Sequence, residues 1–289
     1  MNLIVPALEI IDRALFESGA TQIVPLLSGG HDSISACFVA SQHPKFDGCV
    51  HHIDTGIGAK ATRKFVEDLC SEQGWDLRIY KSSWSYEEFV SRNGFPGPGG
   101  HRFVYQAIKE RCIRHIMRTK APAKVVLLTG ARSAESVRRM GHTLPVVHGE
   151  RSFKTGKVRE KRRIWTAPIH NWNTLQQRSF MEQHELPLNP IKTSPLGMSG
   201  ECFCGAFARP YEIILVRRFA PDVAEEIDRL AVIAKANGKP CVWGQKPKHN
   251  TGQLEFAWSG PLCTSCDQRA AASGFILNGS EQPTAGGAR

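Results

Sequence analysis

The stretch Ser28–Gly29–Gly30–His31–Asp32–Ser33 constrains the fold of this chain more than any other, because of what flanks it. Before it runs Ile23–Val24–Pro25–Leu26–Leu27, a short apolar run predicted as a buried strand. After it, Ile34–Ser35–Ala36–Cys37–Phe38–Val39–Ala40 is predicted as the opening turns of a helix. Two adjacent glycines let the backbone turn sharply and approach a ligand with no Cβ in the way. Ser28, Asp32 and Ser33 set short polar side chains around a helix N-terminus, where unpaired N–H groups and the helix dipole favour an anion. An ordinary strand–turn–helix connection needs one glycine and a cap, not this whole set. The loop is not of the Walker type, which has a longer glycine spacing and a Lys followed by Ser or Thr.

Alternation of strand and helix patterns continues through the first half. Gly48 to Ile53 reads as a strand leading into Asp54–Thr55–Gly56, Lys60 to Gln73 as a helix, and Leu77 to Tyr80 as a strand. Arg102 to Thr119 reads as one helix with Val104, Ile108, Cys112 and Ile116 on an apolar face, and Lys124 to Gly130 as a central strand. Asn93 to Gly100 is too rich in Gly and Pro for a regular element and reads as a loop near the end of the third strand. The order implies an α/β fold, a mainly parallel sheet with helices on both faces. Ligands then bind beyond the carboxyl ends of the strands, where both Ser28–Ser33 and Asp54–Gly56 fall. The expected division is a nucleotide-binding domain over residues 1–194, a cysteine-rich metal-binding region over 195–278, and a disordered Gly-, Ala- and Pro-rich tail over 279–289.

Charge bears on partners rather than on fold. The 289 residues carry a formal net charge of +10, concentrated in Arg151, Lys154, Lys157, Arg159, Lys161, Arg162 and Arg163 against Glu160 alone. Such a segment is either a solvated loop or a seat for phosphate, on a nucleotide or along a DNA or RNA backbone. The N-terminus lacks a basic leader and no apolar run has membrane length, so a cytoplasmic protein without a membrane partner is expected. Nine cysteines in such a compartment call for something other than disulfides. Cys37, Cys49, Cys70, Cys112 and Cys241 lie in apolar contexts and are read as core thiols. Cys202–Phe203–Cys204 and Cys263–Thr264–Ser265–Cys266 form a C-x-C and a C-x-x-C pair able to converge on one centre. Their spacing leaves zinc and a [4Fe–4S] cluster both open.

Several motifs then fall in a recognisable order. Ser28–Ser33 resembles the Ser-Gly-Gly-x-Asp-Ser signature of the PP-loop ATP pyrophosphatases, the adenine-nucleotide alpha-hydrolase-like superfamily. His51–His52–Ile53–Asp54–Thr55–Gly56 resembles the Leu-Asp-Thr-Gly segment of its phosphoadenosine phosphosulfate (PAPS) reductase family. Gly130–Ala131–Arg132–Ser133–Ala134–Glu135–Ser136–Val137–Arg138–Arg139 resembles that family's arginine motif, and Pro168–Trp172 with Leu186–Pro190 resembles two downstream segments. The resemblance covers roughly residues 20 to 195. It implies a Rossmann-like fold, ATP or a related adenine nucleotide on Ser28, Gly29, Gly30, His31, Asp32, Ser33, Asp54, Thr55, Gly56 and Gly130, and Mg²⁺ placed by Asp32. Arg132, Arg138 and Arg139 are expected to offset phosphate charge, with Glu135 orienting one of them or a metal.

Iron–sulfur members among the relatives favour a [4Fe–4S] cluster over zinc on Cys202, Cys204, Cys263 and Cys266. Sulfate-assimilating reductases of the family carry a nucleophilic cysteine in a C-terminal Glu-Cys-Gly-x-His segment, and Gln282–Arg289 holds none. The expected activity is therefore adenylation of an acceptor with release of pyrophosphate, followed by sulfur handling, as in nucleic-acid thio-modification, with a sulfur donor protein as a partner. The alternatives are an adenylylsulfate or PAPS reductase with a displaced catalytic cysteine and a non-catalytic nucleotide- or nucleic-acid-binding component with a structural metal.

Overall fold

Residues 2–135, 146–151, 158–239 and 242–244 are described in the computed structural model. The expectations for Arg138, Arg139, Lys154, Lys157, Cys241, Cys263, Cys266 and the tail lie outside them. The chain opens with α1 (Ile4–Ser18), then β1 (Gln22–Pro25), α2 (His31–Ser41), β2 (Cys49–Asp54), α3 (Lys60–Glu72), β3 (Asp76–Lys81) and α4 (Tyr86–Asn93). A helical run follows as α5 (His101–Tyr105), a π turn (Gln106–Glu110) and α6 (Arg111–Thr119). After β4 (Val125–Leu128), β5 (Val146–Arg151) and β6 (Val158–Thr166) come α7 (Thr174–Gln183), α8 (Pro190–Thr193), α9 (Glu212–Phe219) and α10 (Pro221–Ala236).

β1, β4 and β6 pair in parallel and β5 closes the edge antiparallel, in the order β1-β4-β6-β5. β2 and β3 pair in parallel, and a parallel bridge from Leu26 to His51 joins them to the other side of β1. The chain thus builds outward from β1 through β2 to β3, then crosses back to lay β4 on the opposite flank. That reversal between β1 and β4 opens a crevice at their carboxyl ends, the place where such sheets take ligands. The expected α/β class and central strand are both found. β4 is buried along its whole length, as a strand covered on both faces must be.

Two expectations change. The predicted helix over Arg102–Thr119 keeps Val104, Ile108, Cys112 and Ile116 buried but is interrupted by the π turn. The Asn93–Gly100 loop is shorter than read, since Asn93 ends α4 and Pro98–Gly100 makes a tight turn of its own. Residues beyond 195 pack tightly against the first half: Leu196, Phe203, Leu215 and Ile227 share one apolar cluster with Phe89, Val90 and Val104 of α4 and α5.

The basic segment is corrected in part. Its described C-terminal end is strand β6, and Arg163 is only 2% exposed. The Arg163 guanidinium donates to both oxygens of Glu110, at 3.0 and 3.2 Å. Arg163 is therefore a core ion pair and is not available to an external phosphate. Removing one partner of a buried pair leaves the other charge stranded, at a cost of about 3–5 kcal/mol, while replacing both by apolar groups costs far less. Urea unfolding should show Glu110→Ala strongly destabilised and Glu110→Leu with Arg163→Met close to the parent. Equal losses in both would contradict this reading.

Candidate functional site

The crevice between β1 and β4 is a cleft of about 510 Å³. Ser28, Gly30, His31, Asp32, Ser33 and Gly130 all line it. α2 begins three residues earlier than the apolar pattern indicated, because His31, Asp32 and Ser33 form its first turn. Its N-cap is Gly30 and no side chain caps it, so the N–H groups of the first turn stay available to an anion. Ser33 Oγ accepts from Ser28 N at 3.1 Å and from Ser28 Oγ at 3.0 Å, and donates to Gly30 O at 2.8 Å. The two serines thus lock the loop from inside.

Both glycines that matter here are forced. Gly29 has φ +76°, and a Cβ on it would meet Thr62, Asn189 and Val66. On Gly130 a Cβ would press into the Asp32 carbonyl and the Ser33 nitrogen. The crossing of β4 behind the loop is that close.

Arg132 and Asp32 are brought together. Arg132 Nε donates to Asp32 Oδ1 at 2.8 Å and Nη2 to Oδ2 at 3.2 Å, with Nη1 3.3 Å from Trp172 O. Arg132 is 6% exposed and does not line the cleft. In this structure it is a brace, which holds the first turn of α2 to the end of β4. Glu135 ends a short turn, Ser133–Glu135, just beyond.

Asp54, Thr55 and Gly56 lie at the end of the neighbouring strand β2 and do not line this cleft. Asp54 accepts from Gly56 N at 2.9 Å and pairs with Arg63 at 2.9 Å and Lys81 at 3.4 Å. Burial would raise its carboxyl, but the Gly56 N–H with Lys81 and Arg63 holds it below the usual carboxylate range. The segment that follows supports the C-x-C loop. Thr55 Oγ1 donates to Glu201 O at 2.6 Å, Trp243 Nε1 to Phe203 O at 2.7 Å and Tyr86 Oη to Cys204 O at 2.7 Å. Phe203 N donates in turn to Ile57 O at 2.9 Å. Every one of these bonds fixes backbone and leaves the two thiols to the adjoining pocket, of about 440 Å³, which both line.

Cys202 and Cys204 hydrogen-bond to each other, and that bond, with Lys109 behind it, holds the Cys202 thiol below its ordinary range against burial. The same bond and burial push Cys204 up. Cys112 is fully buried, donates to Tyr80 O at 3.6 Å and belongs to the core, as expected. Among the described residues no group of three or more metal-binding side chains gathers.

The residue that sequence reasoning passed over is Lys109. It lines both the cleft and the pocket, as do Tyr105 and Met198, so these three form their common wall. Its ammonium lies 3.2 Å from the Glu201 carboxylate, which holds it protonated despite burial. As the neighbour of Ile108 in an assumed regular helix, Lys109 reads as solvent-facing; the π turn is what aims it inward. Asn189, fully buried, was noted only as part of a segment. Its Nδ2 donates to Gly29 O at 2.8 Å and to Ser199 O at 2.9 Å.

The family description of a phosphoadenosine phosphosulfate reductase domain matches residues 22–194. Among solved structures, a PAPS reductase from Candida auris in a phosphate complex is similar at 18% identity and a TM-score of 0.46, covering 64% of this chain and 82% of its own. An NH3-dependent NAD synthetase from Campylobacter jejuni is similar at 15% identity and TM-score 0.43, over 86% and 98% of the two chains. A U34-tRNA thiolase from Methanococcus maripaludis, with its [4Fe–4S] cluster, is similar at 14% and TM-score 0.39, over 91% and 84%. No curated protein matches in sequence.

Gly130→Ala tests the cleft directly. The added methyl should weaken binding of inorganic pyrophosphate in calorimetry by at least about tenfold, or about 1.4 kcal/mol, with the far-ultraviolet circular dichroism unchanged. Undiminished affinity would place the anion site elsewhere.

Proposed function

Because the chain belongs to the phosphoadenosine phosphosulfate reductase domain family, we propose that it binds ATP or a related adenine nucleotide beside Ser28–Ser33 and adenylates an acceptor there. The acceptor's nucleophile forms a bond to the α-phosphorus, the α–β bridging bond breaks, and pyrophosphate leaves. The observation that carries this reading is the uncapped N-terminus of α2 opening into a cleft at the strand-order reversal. Backbone N–H groups of the loop hold the departing pyrophosphate, donors that need no reorganisation as charge develops. Mg²⁺ arrives with the polyphosphate. Asp32 is the loop's carboxylate, and its pairing with Arg132 leaves each oxygen a further lone pair toward the metal's water shell.

Lys109 supports a second step across the shared wall. Its cation faces both the nucleotide cleft and the cysteine pocket, so it offsets negative charge passing from one to the other. The pocket's thiols, set against each other and against the backbone N–H groups of Cys204 and Ala206, fit a thiolate-held centre in kind. Cys202 and Cys204 with Cys263 and Cys266 would hold it, and a [4Fe–4S] cluster bound there would supply sulfur chemistry that zinc, the alternative, would not. A nucleic acid is the acceptor class that the net charge of +10 favours.

Asp32→Ala and Ser33→Ala are expected to abolish pyrophosphate release from ATP. Asp32→Ala should also lower the melting temperature because it strands the buried Arg132, whereas Asp32→Asn, which keeps an acceptor for Arg132, should lose release with a smaller shift. Tight ATP binding with no release by the parent protein would favour a non-catalytic component instead. Reduction of radiolabelled adenylylsulfate by a thiol, with ATP inert, would favour the reductase with a displaced cysteine.

Iron and sulfide analysis of anaerobically purified single serine variants tests the centre. Cys202→Ser, Cys204→Ser, Cys263→Ser and Cys266→Ser should each lose metal and solubility together, since ligand loss removes folding free energy. Cys112→Ser should keep its metal; bleaching there, with Cys202→Ser unaffected, would identify a different ligand set.

A further inference from the structure

Helix α6 carries a charge pattern unlike that of the other surface helices. Its sequence, Arg111–Cys112–Ile113–Arg114–His115–Ile116–Met117–Arg118–Thr119, contains no acid. Cys112, Ile113, Ile116 and Met117 are buried, and Arg111, Arg114, His115 and Arg118 are exposed. At 3.6 residues per turn those four fall within a stripe about 100° wide. Some other helices set exposed cations against acids of their own, as in Arg13–Glu17, Lys64–Asp68 and Arg229–Glu226. On α6 only Arg114 has such a partner, Glu110, whose carboxylate is already held by the buried Arg163. Among the described residues no carboxylate lies within ion-pair distance of Arg111, Arg118 or the neighbouring Arg92.

The stripe is also preorganised. The guanidiniums of Arg92 and Arg111 each lie 5.1 Å from the centre of the Trp84 ring, and Arg111 donates to Ser83 Oγ at 3.0 Å. Two long side chains are thereby held in place before any ligand arrives. One helical run carries both this stripe and the wall of the cavities, since Tyr105 and Lys109 precede Arg111. At its start Phe103 is 60% exposed, an aromatic face that an unpaired base can stack upon.

We propose that the exposed face of α6, with Arg92 and Trp84 beside it, is a docking surface for single-stranded nucleic acid. The surface deepens the reading above by naming the class of acceptor and the side from which it reaches the cavities. It is distinct from the Arg151–Arg163 segment, in which Arg163 is buried.

Fluorescence anisotropy with a labelled oligothymidylate of about 20 nucleotides tests it across about 50 to 200 mM salt. Arg92→Ala with Arg111→Ala and Arg118→Ala should weaken binding tenfold or more at the low end. It should also make the log–log salt slope shallower by about 2, as expected for three lost phosphate contacts to a single strand. Arg13→Ala with Lys45→Ala and Lys64→Ala removes the same charge from other faces and should change affinity less than about twofold. Photo-crosslinking of the parent protein to a bromodeoxyuridine-containing strand should label peptides within residues 84–118, a readout that stands even where the triple variant folds poorly. Equal losses in both triple variants, crosslinks confined to other peptides, or binding to phosphatidylserine vesicles in place of the oligonucleotide would each overturn the proposal. Pyrophosphate release is assayed separately without nucleic acid. A parent protein that turns over ATP but binds no oligonucleotide sinks the surface alone; one that binds but never releases pyrophosphate sinks the functional reading alone.

Discussion

The side chain of Asn189 joins three parts of the molecule: the anion loop, the start of α8 and the Ser199 backbone. Its Nδ2 donates to the carbonyls of Gly29 and Ser199, and its Oδ1 accepts from Ile191 N at 2.9 Å, capping α8. Asn189 is fully buried, so the Gly29 carbonyl and the Ile191 N–H would be stranded if the amide were lost, at about 1–3 kcal/mol apiece, while Ser199 O would keep its bond from Thr62. Gly29 leaves room for the amide, since a Cβ there would crowd that same nitrogen at 3.1 Å, and its φ of +76° favours glycine. The anion loop is thus shaped partly by a residue 160 positions away in the chain.

From Ser199 the effect continues along the backbone. Thr62 Oγ1 also donates to Ser199 O, at 2.8 Å, and Ala59 N donates to Gly200 O at 2.8 Å. The next residues, Glu201 to Cys204, carry the bonds from Thr55, Trp243 and Tyr86 that orient the thiols. The loop and the thiols are accordingly two ends of one hydrogen-bonded strip. Lys109 closes the strip from the opposite side, where the π turn directs it to Glu201 while the next residue, Glu110, reaches Arg163. In a regular helix neighbouring residues differ by about 100° and the extra residue of a π turn resets that phase.

Period and position carried much of this in the sequence. Alternating elements gave the α/β class, and the glycine pair with its flanking strand and helix located the anion loop, because those signals are local. What escaped was set by long-range partners. Asp32 and Arg132 were both singled out, but nothing in either motif says that they bind each other across 100 positions. Asp54, Thr55 and Gly56 follow a strand end as a ligand segment should, yet the fold uses Thr55 to hold the carbonyl of Glu201. Arg163 looked like the end of a solvated basic run because charge density is visible in sequence and burial by a distant helix is not. Lys109 was hidden by the assumption of an unbroken 3.6-residue period.

The central claim is that the anion loop and the C-x-C loop form one coupled unit rather than two neighbouring sites. Hydrogen–deuterium exchange of the anaerobically purified protein, with and without a non-hydrolysable ATP analogue, tests it most directly. The account predicts that the nucleotide slows exchange together at residues 28–34 and at 199–205, reaching the second stretch through Asn189 and Ser199. Protection confined to residues 28–34 and 129–132, with exchange at 199–205 unchanged, would contradict it.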